Sequence, residues 1–151
     1  MASPDGLGWM SAARWSDVSE GLAIPAVVDE ITFRRVIMNP GATGDYFPGH
    51  YDRDYAQRQG QPTIYANSLH LFGLLDRAVS EWAGPASFLV RRNVRLVSSM
   101  YAGDTVTVAG TVTAKRVDGD ARLVDLAMTM TSHDGRTICT AEVVVRLGPE
   151  G

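Results

Sequence analysis

The chain has 151 residues, 45% of them apolar, and a formal net charge of −3 at pH 7. This length suits one compact domain with a core of its own, and the apolar fraction excludes an intrinsically disordered chain. The negative charge argues against nucleic-acid binding, which calls for a basic face. Neither a signal segment nor a run of about 18 apolar residues is present, so we expect a cytoplasmic protein without membrane contact.

The sequence gives no sign of a metal site or a bound redox cofactor. A lone Cys139 excludes an internal disulfide, and its place in an alternating apolar segment predicts a small core residue. Paired-cysteine and paired-histidine metal motifs, glycine-rich phosphate loops and GxSxG elbows are all missing. We therefore expect no metal and no cofactor.

The N-terminal segment differs in composition from the remainder. Residues 1–13 are rich in Gly, Ser and Pro and predict a flexible arm, which leaves residues 14–151 as one domain. The segment from Val28 to Met38 fits a strand or a helix equally well. Asn39-Pro40 predicts the cap and first residue of a short helical turn that ends before Gly44.

Two further helices are predicted. Asp52 is a candidate N-cap for a short helix from Arg53 to Gln59. Apolar residues in the segment from Ile64 to Trp82 would cover most faces of a helix. This pattern indicates a long, largely buried helix, with Trp82 in the core. Gly84-Pro85 ends it.

After Pro85 the hydrophobic period changes from about 3.6 to 2, which predicts strands. Four strands are expected, at Ser87–Ser98, Asp104–Arg116, Arg122–Ser132 and Thr137–Leu147. The connections between them are short and turn-rich, and short turns predict antiparallel neighbours. They are Ala102-Gly103-Asp104, Asp118-Gly119-Asp120 and Asp134-Gly135. One buried helix followed by these strands predicts an α+β fold in which a curved antiparallel sheet wraps around the helix.

Asp45 and His50 are the candidate catalytic residues. They lie five residues apart in a segment braced by glycine and proline. A carboxylate and an imidazole held this way can contact one water molecule from two sides and act as acid and base. The alternative is that both residues only cap local turns.

These residues resemble a known family of hydratases. The segment Gly44-Asp45-Tyr46-Phe47-Pro48-Gly49-His50-Tyr51-Asp52 is similar to the G-D-x-N-P-x-H-x-D motif of MaoC-like hydratases and dehydratases. Ala66-Asn67-Ser68-Leu69 stands where that family has A-H-G-M. The segment from Arg92 to Thr105 is similar to the following strand and G-D-T turn. The resemblance implies a single hot-dog domain, in which a long central helix is wrapped by a curved antiparallel sheet.

The resemblance also implies an activity. Family members interconvert trans-2-enoyl thioesters and (R)-3-hydroxyacyl thioesters, with Asp45 and His50 in the role of acid and base toward water. The resemblance implies a CoA thioester as the substrate and no cofactor. The N–H groups near Asn67 and Ser68, at the start of the central helix, would stabilise the charge on the thioester oxygen.

The chain departs from the family pattern at the proposed site. Phe47 replaces the usual Asn, which removes a polar contact in the loop. Asn67-Ser68 replaces His-Gly, and the serine side chain brings both crowding and a possible hydroxyl donor. Tyr51 and Tyr65 flank the motif and, with Phe47, are expected to shape the acyl pocket.

Other roles remain open. The chain fits one subunit of a heteromeric MaoC-like hydratase, one acting on a bulky sterol-type acyl-CoA for example, or a non-catalytic acyl-thioester binder. A homodimer or a heteromer with a second MaoC-like chain is expected, because an uncovered sheet edge favours pairing. His70 is predicted to be a hydrogen-bonded structural residue. Arg91 and Arg95 share a strand face with Asn93, where they either keep the sheet soluble or meet CoA phosphates.

Overall fold

One long helix and a five-stranded antiparallel sheet make up most of the protein, in a computed structural model that describes residues 12–149. The strands are β1 (Ala23–Glu30), β2 (Phe88–Leu96), β3 (Thr105–Asp118), β4 (Ala121–Ser132) and β5 (Thr137–Arg146). The helices are α1 (Phe33–Thr43), α2 (Arg53–Arg58) and α3 (Ser68–Ala83), with short 3₁₀ helices at Trp15–Asp17 and Pro48–His50. The predicted hot-dog architecture, a curved sheet around the long helix α3, is confirmed.

The strand order in the sheet is β1-β3-β4-β5-β2. The four strands predicted after Pro85 are confirmed, and the turns at Asp118-Gly119 and Asp134-Gly135 do join antiparallel neighbours. The expectation that the Gly103 turn also joins neighbours is wrong, because β2 pairs with β5 rather than with β3. The turn belongs instead to a crossover, and the Gly103 N–H donates to the carbonyl of Ile31 at 2.7 Å.

The ambiguous segment from Val28 to Met38 contains the end of a strand and the start of a helix. Strand β1, for which the periodicity is ambiguous, pairs with β3 at the sheet edge. Helix α1 begins after Thr32, whose hydroxyl accepts a hydrogen bond from the Arg35 N–H at 3.2 Å. The prediction of a cap at Asn39-Pro40 is therefore wrong, because Pro40 lies inside the helix. The end at Gly44 is confirmed, with a φ of 72° that suits glycine.

Helix α2 and the C-terminal end of α3 are as predicted, but α3 begins later. Asp52 caps α2 through the Tyr55 N–H at 2.9 Å. The expected helical start at Ile64 is wrong, because residues 64–66 are extended and helix α3 starts after Asn67. The Asn67 side chain accepts from the His70 N–H at 3.0 Å and so caps the helix.

One face of α3 forms the core together with the inner face of the sheet. Leu75, Val79 and Trp82 are buried against sheet residues such as Val108 and Leu126. The opposite face is less buried than its apolar sequence predicts, since Leu69 is 53% exposed.

The first described residues contact the C-terminal end of helix α3. Of the predicted arm, residues 1–11 lie outside the described residues, while the Ala13 N–H donates to the Trp82 carbonyl at 3.0 Å. Within residues 12–149, no helix has the length and apolar character needed to cross a membrane.

Candidate active site

The fold brings Asp45 and His50 together. Asp45 follows the glycine that ends α1, and His50 ends the 3₁₀ helix that begins at Pro48. The Asp45 Oδ2 atom lies 3.3 Å from His50 Nε2. The imidazole is buried, with 8% of its side chain exposed, whereas the carboxylate is 40% exposed. The pair therefore has a buried member and a member open to solvent.

The orientation of the His50 ring is set by the main chain. Its Nδ1 lies 2.7 Å from the carbonyl oxygen of Tyr65. A carbonyl only accepts hydrogen bonds, so Nδ1 carries a proton, and in the neutral form of the ring Nε2 then presents a lone pair. The Asp45 carboxylate is also an acceptor. Two unprotonated acceptors 3.3 Å apart repel each other. The arrangement is stabilised when a proton lies between the two atoms or when one water molecule donates a hydrogen bond to each of them.

Tyr65 contacts the Asp–His segment on several sides. Besides its carbonyl, its N–H donates to the Gly49 carbonyl at 3.2 Å. Its ring meets the His50 ring edge-on with centroids 5.3 Å apart, and Phe47 packs against His50 at 5.5 Å. His50 is thus held between two aromatic rings. At position 47, where the resembled motif has Asn, this chain therefore makes an aromatic contact with His50.

Gly49 is required by this packing. A Cβ atom at position 49 would lie 2.5 Å from the Tyr65 hydroxyl oxygen and 2.9 Å from a ring carbon of Phe47. Both distances are too short for non-bonded atoms. The close contact of Tyr65 with the loop therefore depends on the missing side chain.

The start of α3 lies next to the pair and is tied to it by Thr43. The Asn67 Nδ2 group donates to the Thr43 hydroxyl oxygen at 2.8 Å. The same oxygen accepts from the Asp45 N–H at 3.4 Å, and the hydroxyl donates to the Asn39 carbonyl at 2.9 Å. Asn67 thus caps α3 and connects it to the segment that carries Asp45. Sequence reasoning missed Thr43, because nothing in the motif distinguishes it from a loop threonine.

A cleft of about 410 Å³ opens beside the pair. It is lined by Asp45, His50, Tyr65, Ala66, Asn67, Ser68 and Leu71 and by the residues from Leu96 to Met100. Five of the seven residues predicted for the site therefore surround one space.

Phe47 and Tyr51, the other two predicted site residues, do not line the cleft. Phe47 supports His50 from behind, and the Tyr51 side chain is 44% exposed. Sequence reasoning missed the wall from Leu96 to Met100, which is formed by the last residue of β2 and the crossover that follows it.

The remaining candidate residues lie elsewhere. His70 is on α3 with a buried Nδ1 that has no hydrogen-bond partner among the described residues, so the expectation of a satisfied histidine is wrong. Burial, and then the nearby Arg35 guanidinium, lower the pKa of His70, which favours the neutral ring. Arg91 and Arg95 are exposed on β2. Burial raises the pKa of the Cys139 thiol to about 11, as expected for an inert core cysteine.

No group of three or more His, Cys, Asp or Glu side chains within residues 12–149 is placed to hold a metal ion. The cleft presents a carboxylate and an imidazole beside the N-terminus of a helix, and these groups can act as acid and base.

A long helix wrapped by an antiparallel sheet, with an Asp–His pair beside the start of that helix, defines a hot-dog protein of the hydratase type. The sequence profile of the MaoC like domain matches residues 26–133. The chain belongs to the MaoC-like dehydratase family.

Similar proteins are known from several bacteria. Over 73 residues the chain is 45% identical to the 3-oxo-4,17-pregnadiene-20-carboxyl-CoA hydratase beta subunit of Mycobacterium tuberculosis, a match that covers 48% of this chain and 57% of that protein. The chain thus spans little more than half the length of this curated relative.

Solved structures agree on the fold. A chain of the ChsH1-ChsH2 complex from Mycobacterium tuberculosis superposes with a TM-score of 0.78 and 32% identity, over 85% of this chain and 98% of that one. The R-hydratase PhaJ1 from Pseudomonas aeruginosa gives a TM-score of 0.80 at 20% identity, over 91% of this chain and 86% of that one.

The packing around Gly49 predicts opposite effects for two glycine substitutions. Gly49→Ala should lower the free energy of unfolding by about 1–3 kcal/mol, since Tyr65 or Phe47 must move. Gly73→Ala is the matched control. Position 73 lies inside α3 with nothing within 4 Å of an added Cβ, so this change should stabilise the protein by about 0.5–1 kcal/mol. Urea unfolding measures both, and equal effects would contradict the packing described.

The link through Thr43 gives a second prediction. Thr43→Val keeps the shape of the side chain but leaves the buried Asn67 amide without its acceptor, which should cost about 1–3 kcal/mol of stability. Thr43→Ser retains the hydroxyl and should stay close to wild type. Urea unfolding separates the two, and a valine variant as stable as wild type would show that the hydrogen bond contributes nothing.

Proposed function

We propose that this chain is a hydratase/dehydratase that interconverts trans-2-enoyl-CoA, or a related acyl thioester, and the (R)-3-hydroxyacyl thioester. The observation that carries the proposal is the pairing of Asp45 Oδ2 with His50 Nε2 at 3.3 Å in an open cleft. His50 Nδ1 is already committed to the Tyr65 carbonyl, so Nε2 is the nitrogen left for chemistry.

The pair is suited to activating water. A water that donates one hydrogen to Asp45 and one to His50 has its oxygen lone pairs free to face the cleft. Attack of this oxygen on C3 of the enoyl group forms the new C–O bond, and the electron pair of the double bond moves toward the thioester carbonyl. One water proton passes to the pair, and the pair delivers one proton to C2. The hydroxyl at C3 and the hydrogen at C2 together account for the added water.

The thioester oxygen needs stabilisation while it carries negative charge. The N-terminus of α3 supports this role, because the first N–H groups of a helix have no partner within the helix and the helix dipole favours an anion. Asn67 and Ser68 both line the cleft at this terminus. Loss of one donor of this kind costs about 2.7–4 kcal/mol of transition-state stabilisation. The Ser68 hydroxyl is a further donor on the same side.

A second candidate function is that of one subunit in a mixed hydratase. It is favoured by the likeness to a hydratase beta subunit and to a chain of a two-component complex. Strand β2 lies at the sheet edge and exposes Phe88, Val90 and Leu96 by 50–59%, which suits pairing with another chain. Because this chain has Asp45 and His50, it would be the catalytic subunit of such a pair. A bulky sterol-type acyl-CoA is then the substrate to try first, with a non-catalytic acyl-thioester binder as the remaining alternative.

Hydration of 2-enoyl-CoA by the purified protein tests the proposal. Loss of absorbance of the conjugated thioester is followed for short enoyl substrates and for a sterol-type enoyl-CoA, with and without a second MaoC-like chain. Asp45→Asn and His50→Ala should each lower the rate by about 10²–10⁴-fold, because each removes one half of the acid/base pair. Circular dichroism should show an unchanged fold.

The matched control is Asp54→Asn, which changes an exposed carboxylate outside the cleft and should keep the wild-type rate. Wild-type rates in both Asp45→Asn and His50→Ala would overturn the catalytic assignment. An inactive chain that gains activity only with a second MaoC-like chain would favour the mixed assembly. Binding of acyl-CoA without turnover in every combination would favour the non-catalytic binder.

A further inference from the structure

An ion pair between the half-buried Arg136 and the buried Asp104 lies outside the acid/base site and does not line the cleft. Asp104 is 5% exposed and follows the glycine of the crossover turn. Arg136, in the connection between β4 and β5, donates from Nη2 to both Asp104 carboxylate oxygens, at 3.0 and 2.9 Å. A buried carboxylate requires such a partner, and the planar guanidinium group provides it with fixed geometry.

Arg136 also holds the cleft wall directly. Its Nη1 group donates to the carbonyl of Ser99 at 2.9 Å, and its guanidinium carbon lies 4.8 Å from the centre of the Tyr101 ring. Asp104 accepts from the Tyr101 N–H at 2.8 Å. One guanidinium group therefore fixes the main chain from Ser99 to Asp104, part of which lines the cleft.

The fixed segment pairs with the residues that lead into α3. The Ala66 N–H donates to the Met100 carbonyl at 2.9 Å, and the Ala102 N–H donates to the Ile64 carbonyl at 3.0 Å. These bonds flank Tyr65, which forms an antiparallel bridge with Tyr101. In extended chain, successive peptide groups point to opposite sides, so the groups of Tyr65 itself face away from the bridge.

The side that faces away is the side of the acid/base pair. There the Tyr65 carbonyl meets His50 Nδ1 at 2.7 Å, and the Tyr65 N–H meets the Gly49 carbonyl at 3.2 Å. An unbroken series of contacts thus runs from Arg136 through the bridge to the ring of His50. The same series fixes Ala66, directly before Asn67, the N-cap of α3.

We propose that Arg136, together with Asp104, is a positioning residue for the acid/base site: it fixes the Tyr65–Tyr101 bridge and through it the orientation of the His50 ring and of the α3 N-terminus. Arg136 does not line the cleft, so this role is exerted through other residues. The inference rests on the proposed hydratase function for its kinetic consequences but not for its structural ones.

The test combines kinetics with NMR of the full chain, in the presence of a partner chain if turnover needs one. In Arg136→Ala, kcat should fall by about 100-fold with little change in KM, since a displacement of about 1 Å is enough for such a loss. The ring ¹⁵N signals of His50 should shift as the Tyr65 hydrogen bond weakens. Arg136→Lys keeps the charge but not the planar fork, so both effects should persist in reduced form. Arg116→Ala is the matched control, because it breaks an ion pair with Asp125 away from the cleft.

The outcomes separate this inference from the proposed function. Wild-type kcat and wild-type His50 signals in a folded Arg136→Ala would overturn it, and so would equal effects from Arg116→Ala. If Arg136→Ala does not fold, Arg136→Lys decides by the same criteria. If the wild-type chain hydrates no enoyl-CoA in any combination, the proposed function fails while the His50 signals still decide whether Arg136 positions the ring.

Discussion

The site depends above all on the main chain of Tyr65. This one extended residue lies between the crossover segment on one side and the Asp–His segment on the other, and both of its peptide groups are used toward Gly49 and His50. The carbonyl accepts a hydrogen bond from Nδ1–H and thereby selects the His50 tautomer that leaves Nε2 free. Because the acceptor is a backbone group, substitution of the Tyr65 side chain does not remove it.

This constraint explains how the chain accommodates its departures from the family pattern. Phe47 lacks the polar group of the usual Asn, but the His50 ring is held by the Tyr65 carbonyl and by aromatic rings on two sides. Asn67 replaces a His at the helix start and acts as the cap of α3, while its amide reaches Thr43. In both places the supporting contact has changed while the acid/base pair and the helix N-terminus remain beside one cleft.

The sequence predicted much of the fold, because periodicity and turn residues are local signals. The alternation of apolar and polar residues predicts strands β2 to β5. Asp52 predicts the start of α2, and Gly84 predicts the end of α3. The elements that were predicted wrongly or not at all depend on contacts with residues that are distant in the sequence. Residues 64–66 continue the apolar spacing of the helix but are extended, since their peptide groups pair with the crossover. Similarly, β1 forms because its backbone groups pair with those of β3. Pro40 lies inside a helix because that helix already begins after its N-cap, Thr32.

The site could be predicted only in part for the same reason. Asp45, His50, Asn67 and Ser68 lie in recognisable motifs. Thr43 and Arg136 belong to no motif, and the segment that contains the wall from Leu96 to Met100 resembles the family without indicating which of its residues face the cleft. These roles come from pairings across 24 or more residues, such as the 24 between Thr43 and Asn67. The burial of Asp104 predicts that some cation must meet it. No local pattern identifies Arg136 among the 14 Lys and Arg residues.

The central claim is that the Tyr65 carbonyl fixes His50 with a free Nε2 facing Asp45. Two-bond ¹H–¹⁵N correlation spectra of ¹⁵N-histidine-labelled protein test it directly, since the chain has only three histidines and His50→Gln assigns the signals. The neutral His50 ring is predicted to carry its proton on Nδ1, with Nε2 unprotonated. A ring protonated on Nε2 instead would contradict the account.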